Sequence, residues 1–348
     1  MAKKSYETLI DEVLTRGLAE VIDRAHLKKR LVAGEKLKLK LGIDPTGAKL
    51  HLGHAVPLRA LRRFQDFGHT VVLIIGDTTA MIGDPSGKNS TRPPLSRDEI
   101  AKNYKTYERQ AFKILDKQKT EVRWQSEWYK KFGLDDIIRE ASKLSAGWVL
   151  SHETFKQRMK AGQPLAFHEL LYPLLQAYDS VAVKPDVEFG GLDQKFNLLT
   201  GRELMKAHGL PSQDVVMTKY LIGTDGQKMG KSLNNFIALE EEPFEMFGKI
   251  MSMPDTVLHD YFELATDVPL ADFKKMYWEG AEARNTKMFL ARKIVEEYHG
   301  LAASNQALKR WNKFVSGEQE LPGQSVRADL ELDLRSALIT TKIVSTKS

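Results

Sequence analysis

Residues 36–77 read KLKLKLGIDPTGAKLHLGHAVPLRALRRFQDFGHTVVLIIGD. Lysine and leucine alternate from Lys36 towards Ile43, which is the period-2 pattern of a strand, and a turn follows at Asp44 to Gly47. A helical stretch runs from about His54 to Phe67, and Val71 to Ile75 is typical of a strand that is buried on both faces. A strand, a helix and a strand at this spacing predict a βαβ unit, and therefore an α/β fold with a parallel sheet.

The flanking sequence predicts further elements. The first 34 residues are predicted to form two amphipathic helices, with Leu18, Val21 and Ile22 on the apolar face of the second. Ser96 to Glu99 is a capping box that begins a helix reaching about Leu115. The other predicted elements are a strand at 121–124, helices over 134–182, strands at 187–189 and 215–217, a helix over 193–208, and helices from 243 to about 314.

The composition excludes several classes of protein. The chain has 348 residues and no cysteine, which excludes a disulfide framework, thiolate metal sites and a cysteine nucleophile. Its formal charge of +6 fits a polyanionic partner as well as it fits ordinary solubility. No apolar run is long enough to cross a membrane, and the first residues match neither a signal peptide nor a transit peptide, so we expect a cytoplasmic protein without a membrane partner.

Two common nucleotide-binding signatures are missing. The chain has no Walker A loop, and no G-x-G-x-x-G sequence follows the first predicted strand. P-loop hydrolysis and NAD-dependent chemistry are therefore disfavoured.

A pair of histidines lies between the first turn and the next helix, in His51-Leu52-Gly53-His54. A helix N-terminus attracts phosphate, and two imidazoles three residues apart can donate to the same anion. Gly53 has no side chain, so a flat ring can approach the backbone there. The alternatives are a metal site, which lacks a third ligand nearby, and two capping or surface histidines.

A lysine loop follows much later, at Lys228-Met229-Gly230-Lys231-Ser232. Two lysines around a glycine form a mobile cationic clamp, which can follow charge as it moves onto a leaving pyrophosphate. A merely solvated loop is the alternative.

A polar row follows one face of a predicted helix. Tyr172, Gln176 and Asp179 lie at i, i+4 and i+7, while leucines occupy the opposite side. Together a tyrosine and an aspartate suit an ammonium group and a hydroxyl group, although such a row can also face solvent.

These motifs resemble a known family. The histidine and lysine motifs are similar to the HIGH and KMSKS signatures of class I aminoacyl-tRNA synthetases, with Gly230 where the second consensus has serine. The helix from Tyr172 to Asp179 resembles the specificity helix of bacterial tyrosyl-tRNA synthetases. The segments Gly190 to Gln194 and Ile82 to Lys88 are also typical of them. The resemblance covers about residues 35–320 and implies a Rossmann-like parallel sheet followed by an α-helical domain.

The resemblance implies a role for each matching residue. The residues implied for tyrosine are Asp84, Tyr172 and Gln176 at the ammonium, Gln194 near the carboxylate, and Asp179 and Lys40 at the phenol end. Those implied for ATP binding are Asp44, Thr46, Gly53, Gly191, Met229 and, at the ribose, Asp193. Those implied for catalysis on the phosphates are His51, His54, Lys88, Arg92, Lys228, Lys231 and Ser232. ATP is expected as its Mg²⁺ complex, with no protein metal site and no tightly bound cofactor.

Two departures from the family pattern stand out. Many members carry tyrosine, which touches the phenol, at the position of Lys40. Lys40 either serves the phenol end here or alternates outward from its strand. Leu334 to Ser348 looks like the beginning of an S4-type RNA-binding domain, so the resemblance implies a chain truncated within that domain.

The resemblance also implies domains and partners. The expected domains are N-terminal helices at 1–34, a catalytic domain at 35–240 with a helical insert at about 125–165, an anticodon-side helical domain at 241–320, and a linker with the start of an S4 domain at 321–348. The expected substrates are L-tyrosine, ATP and tRNA(Tyr). A homodimer is expected through the insert, with Trp148 and Phe155 as candidate contacts, and basic residues of the helical domain such as Lys287 are expected to face RNA.

The implied reaction has two steps. Tyrosine and ATP give tyrosyl-adenylate and pyrophosphate, and the tyrosyl group then passes to the 3′ end of the tRNA. Three alternatives stay open: the tryptophan-specific sister enzyme, an enzyme that adenylates a small acid without tRNA, and an RNA-binding relative without catalysis.

Overall fold

A computed structural model describes residues 5–86, 95–230, 233–276, 278 and 282–317. Within these residues the strands form one sheet, in the order β1-β6-β5-β2-β3-β4. The strands are β1 (Leu18–Ile22), β2 (Lys38–Ile43), β3 (Thr70–Ile75), β4 (Thr120–Trp124), β5 (Val187–Gly191) and β6 (Asp214–Thr218). All neighbouring strands are parallel except the edge pair of β1 and β6. The predicted α/β fold is therefore confirmed.

Helices cover the sheet and continue beyond it. Those of the first half are α1 (Tyr6–Val13), α2 (Arg24–Val32), α3 (Leu52–Asp66), α4 (Arg97–Ala111), α5 (Ser126–Tyr129), α6 (Leu134–Ala141), α7 (Ala146–Leu150) and α8 (Glu153–Lys160). Those of the second half are α9 (Tyr172–Val183), α10 (Lys195–Ala207), α11 (Pro243–Ser252), α12 (Leu258–Ala265), α13 (Ala283–His299) and α14 (Leu301–Val315). None of the described helices is long and apolar enough to cross a membrane.

The central βαβ unit forms because both of its strands bury apolar side chains. On β3, Val71 and Leu73 belong to the main core, while Val72 and Ile74 pack with Trp128 on the other face. A strand buried on both faces needs cover on each side, and helices supply it. The phenyl rings of Phe64 on α3 and Phe189 on β5 meet edge to face, with centroids 5.2 Å apart.

The prediction of a helix at Leu18, Val21 and Ile22 is wrong. Residues Leu18–Ile22 form β1, which pairs antiparallel with β6 and shifts register between Leu18 and Glu20. An edge strand with this bulge does not alternate strictly, so its apolar spacing imitates that of a helix.

The capping box at Ser96 is present. The Ser96 side chain accepts from the Glu99 backbone N–H, and the Glu99 carboxylate accepts from the Ser96 N–H at 2.9 Å. The helix ends at Ala111, before the predicted Leu115.

The helices between β4 and β5 pack against α10, and burial rules out Phe155 as a dimer contact. Phe155 is fully buried within its own chain. The indole of Trp148 stacks on Phe196, with ring centroids 5.4 Å apart, and its N–H donates to Thr200 Oγ1 at 3.0 Å. Aromatic residues in a helical segment suit an intramolecular core as well as an interface, and the sequence pattern does not separate the two.

Helices α11 to α14 follow the sheet and pack on one another. Arg16, from the N-terminal segment, donates to the carbonyls of Phe262, Glu263 and Thr266, where α12 ends. A guanidinium group at a helix C-terminus satisfies carbonyls that have no partner within the helix. The predicted linker and S4 start at 321–348 lie outside the described residues.

Candidate active site

One cavity lies at the carboxyl ends of β2, β3 and β5, where parallel sheets usually bind ligands. Many predicted site residues line it: Asp44, Thr46, His54, Asp84, Tyr172, Gln176, Asp179, Gly191 and Gln194. The described lining residues include three carboxylates but neither lysine nor arginine. This part of the cavity therefore attracts a positively charged group.

The histidine motif forms the N-terminus of α3. His51 is the N-cap residue, and its backbone N–H donates to His54 Nδ1 at 3.3 Å. The two imidazole centroids lie only 3.8 Å apart. A side chain at Gly53 would begin 3.0 Å from the His51 ring, so glycine allows this close arrangement.

The lysine loop meets the histidine motif directly. The Gly53 N–H points at the Met229 sulfur, 3.3 Å away, and Met229 is buried. The segment after the loop holds the same helix start, because the Leu52 N–H donates to the Ile237 carbonyl at 3.0 Å. Two motifs about 180 residues apart in sequence thus form one wall.

Lys228 is held beside the cavity by two groups. Its ammonium donates to Asp193 Oδ2 at 3.0 Å and lies 3.8 Å from the centroid of the Tyr220 ring. A side chain at Gly191 would begin 2.6 Å from Asp193 Oδ1, so glycine leaves this carboxylate its space. Burial, followed by the charge of Asp193, raises the pKa of Tyr220.

A hydrogen-bonded group around Asp44 forms the middle of the cavity. Asp44 Oδ2 accepts from the Tyr172 hydroxyl at 2.9 Å, and Oδ1 accepts from Thr79 Oγ1 at 2.7 Å. A side chain at Gly76 would begin 2.0 Å from Asp44 Oδ1, so only glycine fits behind this carboxylate. Burial, followed by the negative charge of Asp44, raises the pKa of Tyr172 far above its usual range and keeps the phenol protonated.

Asp84 and Gln194 are joined within the cavity. Gln194 Nε2 donates to Asp84 Oδ2 at 2.7 Å, and the Ser86 N–H donates to Oδ1 at 2.8 Å. Burial raises the pKa of Asp84 despite these hydrogen bonds. A bound ammonium group would lower the desolvation cost of the ionised Asp84 because it pairs with the charged carboxylate.

Asp179 lies at the far end of the cavity. The Gln125 amide donates to its Oδ2 at 2.8 Å, whereas Oδ1 is buried and has no hydrogen-bond partner among the described residues. The Gln176 side-chain oxygen is likewise buried without a described partner. Burial raises the pKa of Asp179 to about 7. Unpartnered buried acceptors in a cavity point to a ligand that donates hydrogen bonds.

Lys40 does not line the cavity, so its predicted contact with a phenol is not what the structure shows. It does not point outward either, since its side chain is fully buried. Its ammonium pairs with Glu188 Oε1 at 2.7 Å and donates to Ser180 Oγ at 2.6 Å. The alternating sequence pattern predicts on which face of the sheet a lysine lies. It does not predict which residue of the neighbouring strand pairs with that lysine.

One group of metal-binding residue types lies elsewhere. The ligand atoms of His259, Asp260 and Glu263 lie within 4.8 Å of one another. Glu263, however, already accepts from Lys219 Nζ and from the Gly17 N–H, each at 2.9 Å. The Glu263 carboxylate is therefore already occupied by hydrogen-bond donors of the chain, and its presence in this group does not indicate a metal site.

The family model for class I tRNA synthetases, which covers the tryptophan and tyrosine enzymes, matches residues 33–316. The chain belongs to this family. Among curated relatives, a tyrosine–tRNA ligase of Dehalococcoides mccartyi is 51% identical over 93% of this chain and 83% of its own length. A protein named tyrosine–tRNA ligase 2 of Vibrio cholerae is 47% identical over 91% of this chain and 82% of its own.

A solved structure shares the fold of this synthetase. It is a C-terminally truncated mitochondrial tyrosyl-tRNA synthetase of Aspergillus nidulans, with a TM-score of 0.73 and 22% identity, covering 90% of this chain and 94% of its own.

Some site residues of this synthetase were not predicted. Thr79, Gln125 and Tyr220 all follow strands, and position at the carboxyl end of a strand is the signal that could have found them. Four predicted residues, Lys88, Arg92, Lys231 and Ser232, lie outside the described part of the chain.

Proposed function

We propose that this cavity activates L-tyrosine with ATP and passes the tyrosyl group to the 3′ end of tRNA(Tyr), which makes the chain a tyrosine–tRNA ligase. The observation that carries the proposal is Asp179, a buried carboxylate with an unpartnered oxygen at the end of a cavity otherwise suited to an amino acid. The phenol hydroxyl of tyrosine donates to this oxygen. Asp84, Tyr172 and Gln176 surround the substrate ammonium, and Asp44, which accepts from the Tyr172 hydroxyl, contacts the adenylate.

The chemistry of activation needs positioning more than proton transfer. A tyrosine carboxylate oxygen attacks the α-phosphorus of ATP, and the bond to the departing pyrophosphate breaks. The attacking carboxylate is already ionised at neutral pH, so no general base is required. His51, His54 and the start of α3 face the phosphates, and Lys228 lies beside Asp193 to follow the charge on pyrophosphate. ATP enters as its Mg²⁺ complex.

Selectivity for tyrosine follows from the same carboxylate. Phenylalanine would leave Asp179 and Gln125 buried without the hydroxyl, and the family is itself a standard example of discrimination on this basis. Tryptophan offers an N–H at a different position on a larger ring.

An ATP–pyrophosphate exchange assay with tyrosine, tryptophan and phenylalanine tests this function. We expect exchange with tyrosine alone, and loss of tyrosine preference in Asp179→Asn. Asp98→Asn, at an exposed site on α4, is the matched control and should behave like wild type. Exchange with tryptophan in preference to tyrosine would refute the assignment.

Recognition of tRNA belongs to the helical part of the chain. Lys309 and Lys313 are exposed on α14 and are suited to phosphate contacts. Lys287, in contrast, donates to the Met253 carbonyl at 2.7 Å and pairs with Asp255 at 2.6 Å, so its ammonium is already held within the chain. Neutralising Lys309 and Lys313 together should reduce the slope of the logarithm of the tRNA-binding constant against the logarithm of salt concentration, by the amount expected for about two lost phosphate contacts. An unchanged salt dependence would place the RNA elsewhere.

We also propose a homodimer through the insert. Leu134 and Ile138 lie on one face of α6 and are 73% and 59% exposed, and the nearby segment exposes 78% of Phe167. Apolar exposure of this kind marks an interface. Leu134→Glu with Ile138→Glu should convert a dimer to a monomer in light scattering. Leu301→Glu, at a site that is 56% exposed on α14, should leave the dimer intact.

A further inference from the structure

Lys40 and Glu188 form a buried ion pair beneath the amino-acid cavity. They are direct neighbours in the register of the parallel strands β2 and β5, and both side chains are almost completely buried. Glu188 also accepts from the Gln213 amide and from Ser180 Oγ. Removing two charges from water costs desolvation free energy, so a buried ion pair at this position suggests a functional role.

The ammonium of Lys40 contacts the turn of α9 that carries the phenol-binding residue. It donates to Ser180 Oγ at 2.6 Å and approaches the Gln176 carbonyl at 3.4 Å. Asp179 lies between these two residues in sequence. The Lys40 side chain therefore holds the helical turn from below, while Gln125 holds Asp179 from the side.

We propose that Lys40, balanced by Glu188, is a positioning residue that fixes this turn and supplies the positive charge that lets Asp179 accept the phenol hydrogen bond as a carboxylate. The inference rests on the proposed function. Lys40 does not touch the substrate, and it acts through the field at Asp179 and through the placement of the turn.

The charges around Asp179 support this role. The groups that face it are Lys40 from β2, Glu188 from β5, Asp44 after β2, Tyr129 from α5 and Tyr172 from its own helix. Burial is the largest influence and raises the pKa of Asp179, and the charge of Lys40 is the next largest and lowers it. The charges of Glu188 and Asp44 act in the raising direction and are weaker. An ionised carboxylate accepts a stronger hydrogen bond from a phenol than a protonated one does.

The electrostatic role makes two variants move in opposite directions. Lys40→Met with Glu188→Gln replaces the pair by neutral side chains and should move the pH midpoint of kcat/KM for tyrosine upward by about one unit. Glu188→Gln alone leaves Lys40 to act on Asp179 without its counter-charge and should move the midpoint downward. Lys38→Met, on the same strand, removes a lysine whose ammonium reaches the Val183 carbonyl instead, and should leave the midpoint in place.

The experiment measures pyrophosphate exchange with tyrosine and with phenylalanine from pH 5.5 to 8.5. The ratio of the two kcat/KM values cancels effects on ATP and on the ammonium end, and in the double variant it should fall about tenfold at pH 6 relative to wild type. Equal midpoints in wild type, the double variant and Glu188→Gln would overturn the inference, even if all rates fell, because a merely structural role changes rates without moving the midpoint. If the double variant does not fold, the downward shift in Glu188→Gln alone decides. A wild-type chain without any exchange on tyrosine would overturn the proposed function instead.

Discussion

Asp179, which we propose binds the substrate, lowers the stability of the folded chain. Its carboxylate is buried and lacks a described partner for one oxygen, and its pKa is raised to about 7, chiefly by burial. The folded chain therefore holds a proton on Asp179 at pH values where an unfolded aspartate has lost it. In the function that we propose, the tyrosine hydroxyl donates the hydrogen bond that this oxygen lacks among the described residues.

Replacing this carboxylate should stabilise the ligand-free protein. Because the folded-state pKa of about 7 lies above the ordinary 3.8, the contribution of Asp179 to stability falls as pH rises from about 4 to 7 and stays low above that. Asp179→Asn removes the penalty, so we expect a gain at pH 7.5 of up to about 4 kcal/mol in the free energy of unfolding. Urea unfolding of wild type and Asp179→Asn at pH 5 and pH 7.5 measures this difference in the free energy of unfolding. A variant that gains no more at pH 7.5 than at pH 5 would contradict the argument.

Helix α9 packs into the core on one face and lines the cavity with the other. Pro173 occupies its first turn, where a missing N–H costs little, and Leu174 and Ala177 pack with Leu204 of α10. The opposite face turns Tyr172 and Asp179 into the cavity. A polar row beside an apolar stripe thus faces this cavity rather than bulk solvent.

The hydroxyl of Tyr172 offers a test of this face. Tyr172→Phe removes its hydrogen bond to Asp44, which leaves a buried carboxylate short of one donor. We expect the KM for tyrosine to rise about 10- to 100-fold, as befits a hydrogen bond to a charged group. Tyr178→Phe is the matched control, because this ring on the same helix packs on Phe132, with centroids 4.9 Å apart. Equal KM values in the two variants would contradict the role of the hydroxyl.

At the scale of the whole molecule, α3 joins the two halves of the chain. Its first turn carries His51 and His54, and one turn further Arg59 pairs with Asp267, at 2.7 Å, and with Glu297 on α13. The helix that we propose faces ATP is therefore held by the helical part that we propose faces RNA.

Breaking this connection should destabilise the molecule. Arg59 is buried, but Asp267 is largely exposed, so Arg59→Ala should cost about 2 kcal/mol, less than a fully buried pair. Arg62→Ala, which removes an exposed pair with Asp66 on the same helix, should cost less than about 1 kcal/mol. Chemical denaturation of both variants measures the difference, and similar losses would mean that Arg59 does not connect the two halves.

The sequence by itself determined the central βαβ unit, the two signature motifs and the polar row of α9. Each of these is a local pattern: alternation along a strand, a motif of four or five residues, or spacing along one helix. A functional motif made of residues close in sequence can be recognised without knowing which distant residues pack against it. The position of Asp179 on the polar face of α9 follows from such a pattern, whereas its proposed role comes from the family resemblance.

Only the tertiary structure decided which distant residues meet. Leu18–Ile22 becomes a strand because β6, about 200 residues later, offers an edge to pair with. Lys40 lies opposite Glu188 because β2 and β5 are neighbours in that register. Trp148 stacks on Phe196 because α10 lies beside α7 in the fold. The physical reason is common to all three: burial and pairing depend on partners brought together by the sheet, and a linear pattern records the face of a residue but not what covers it.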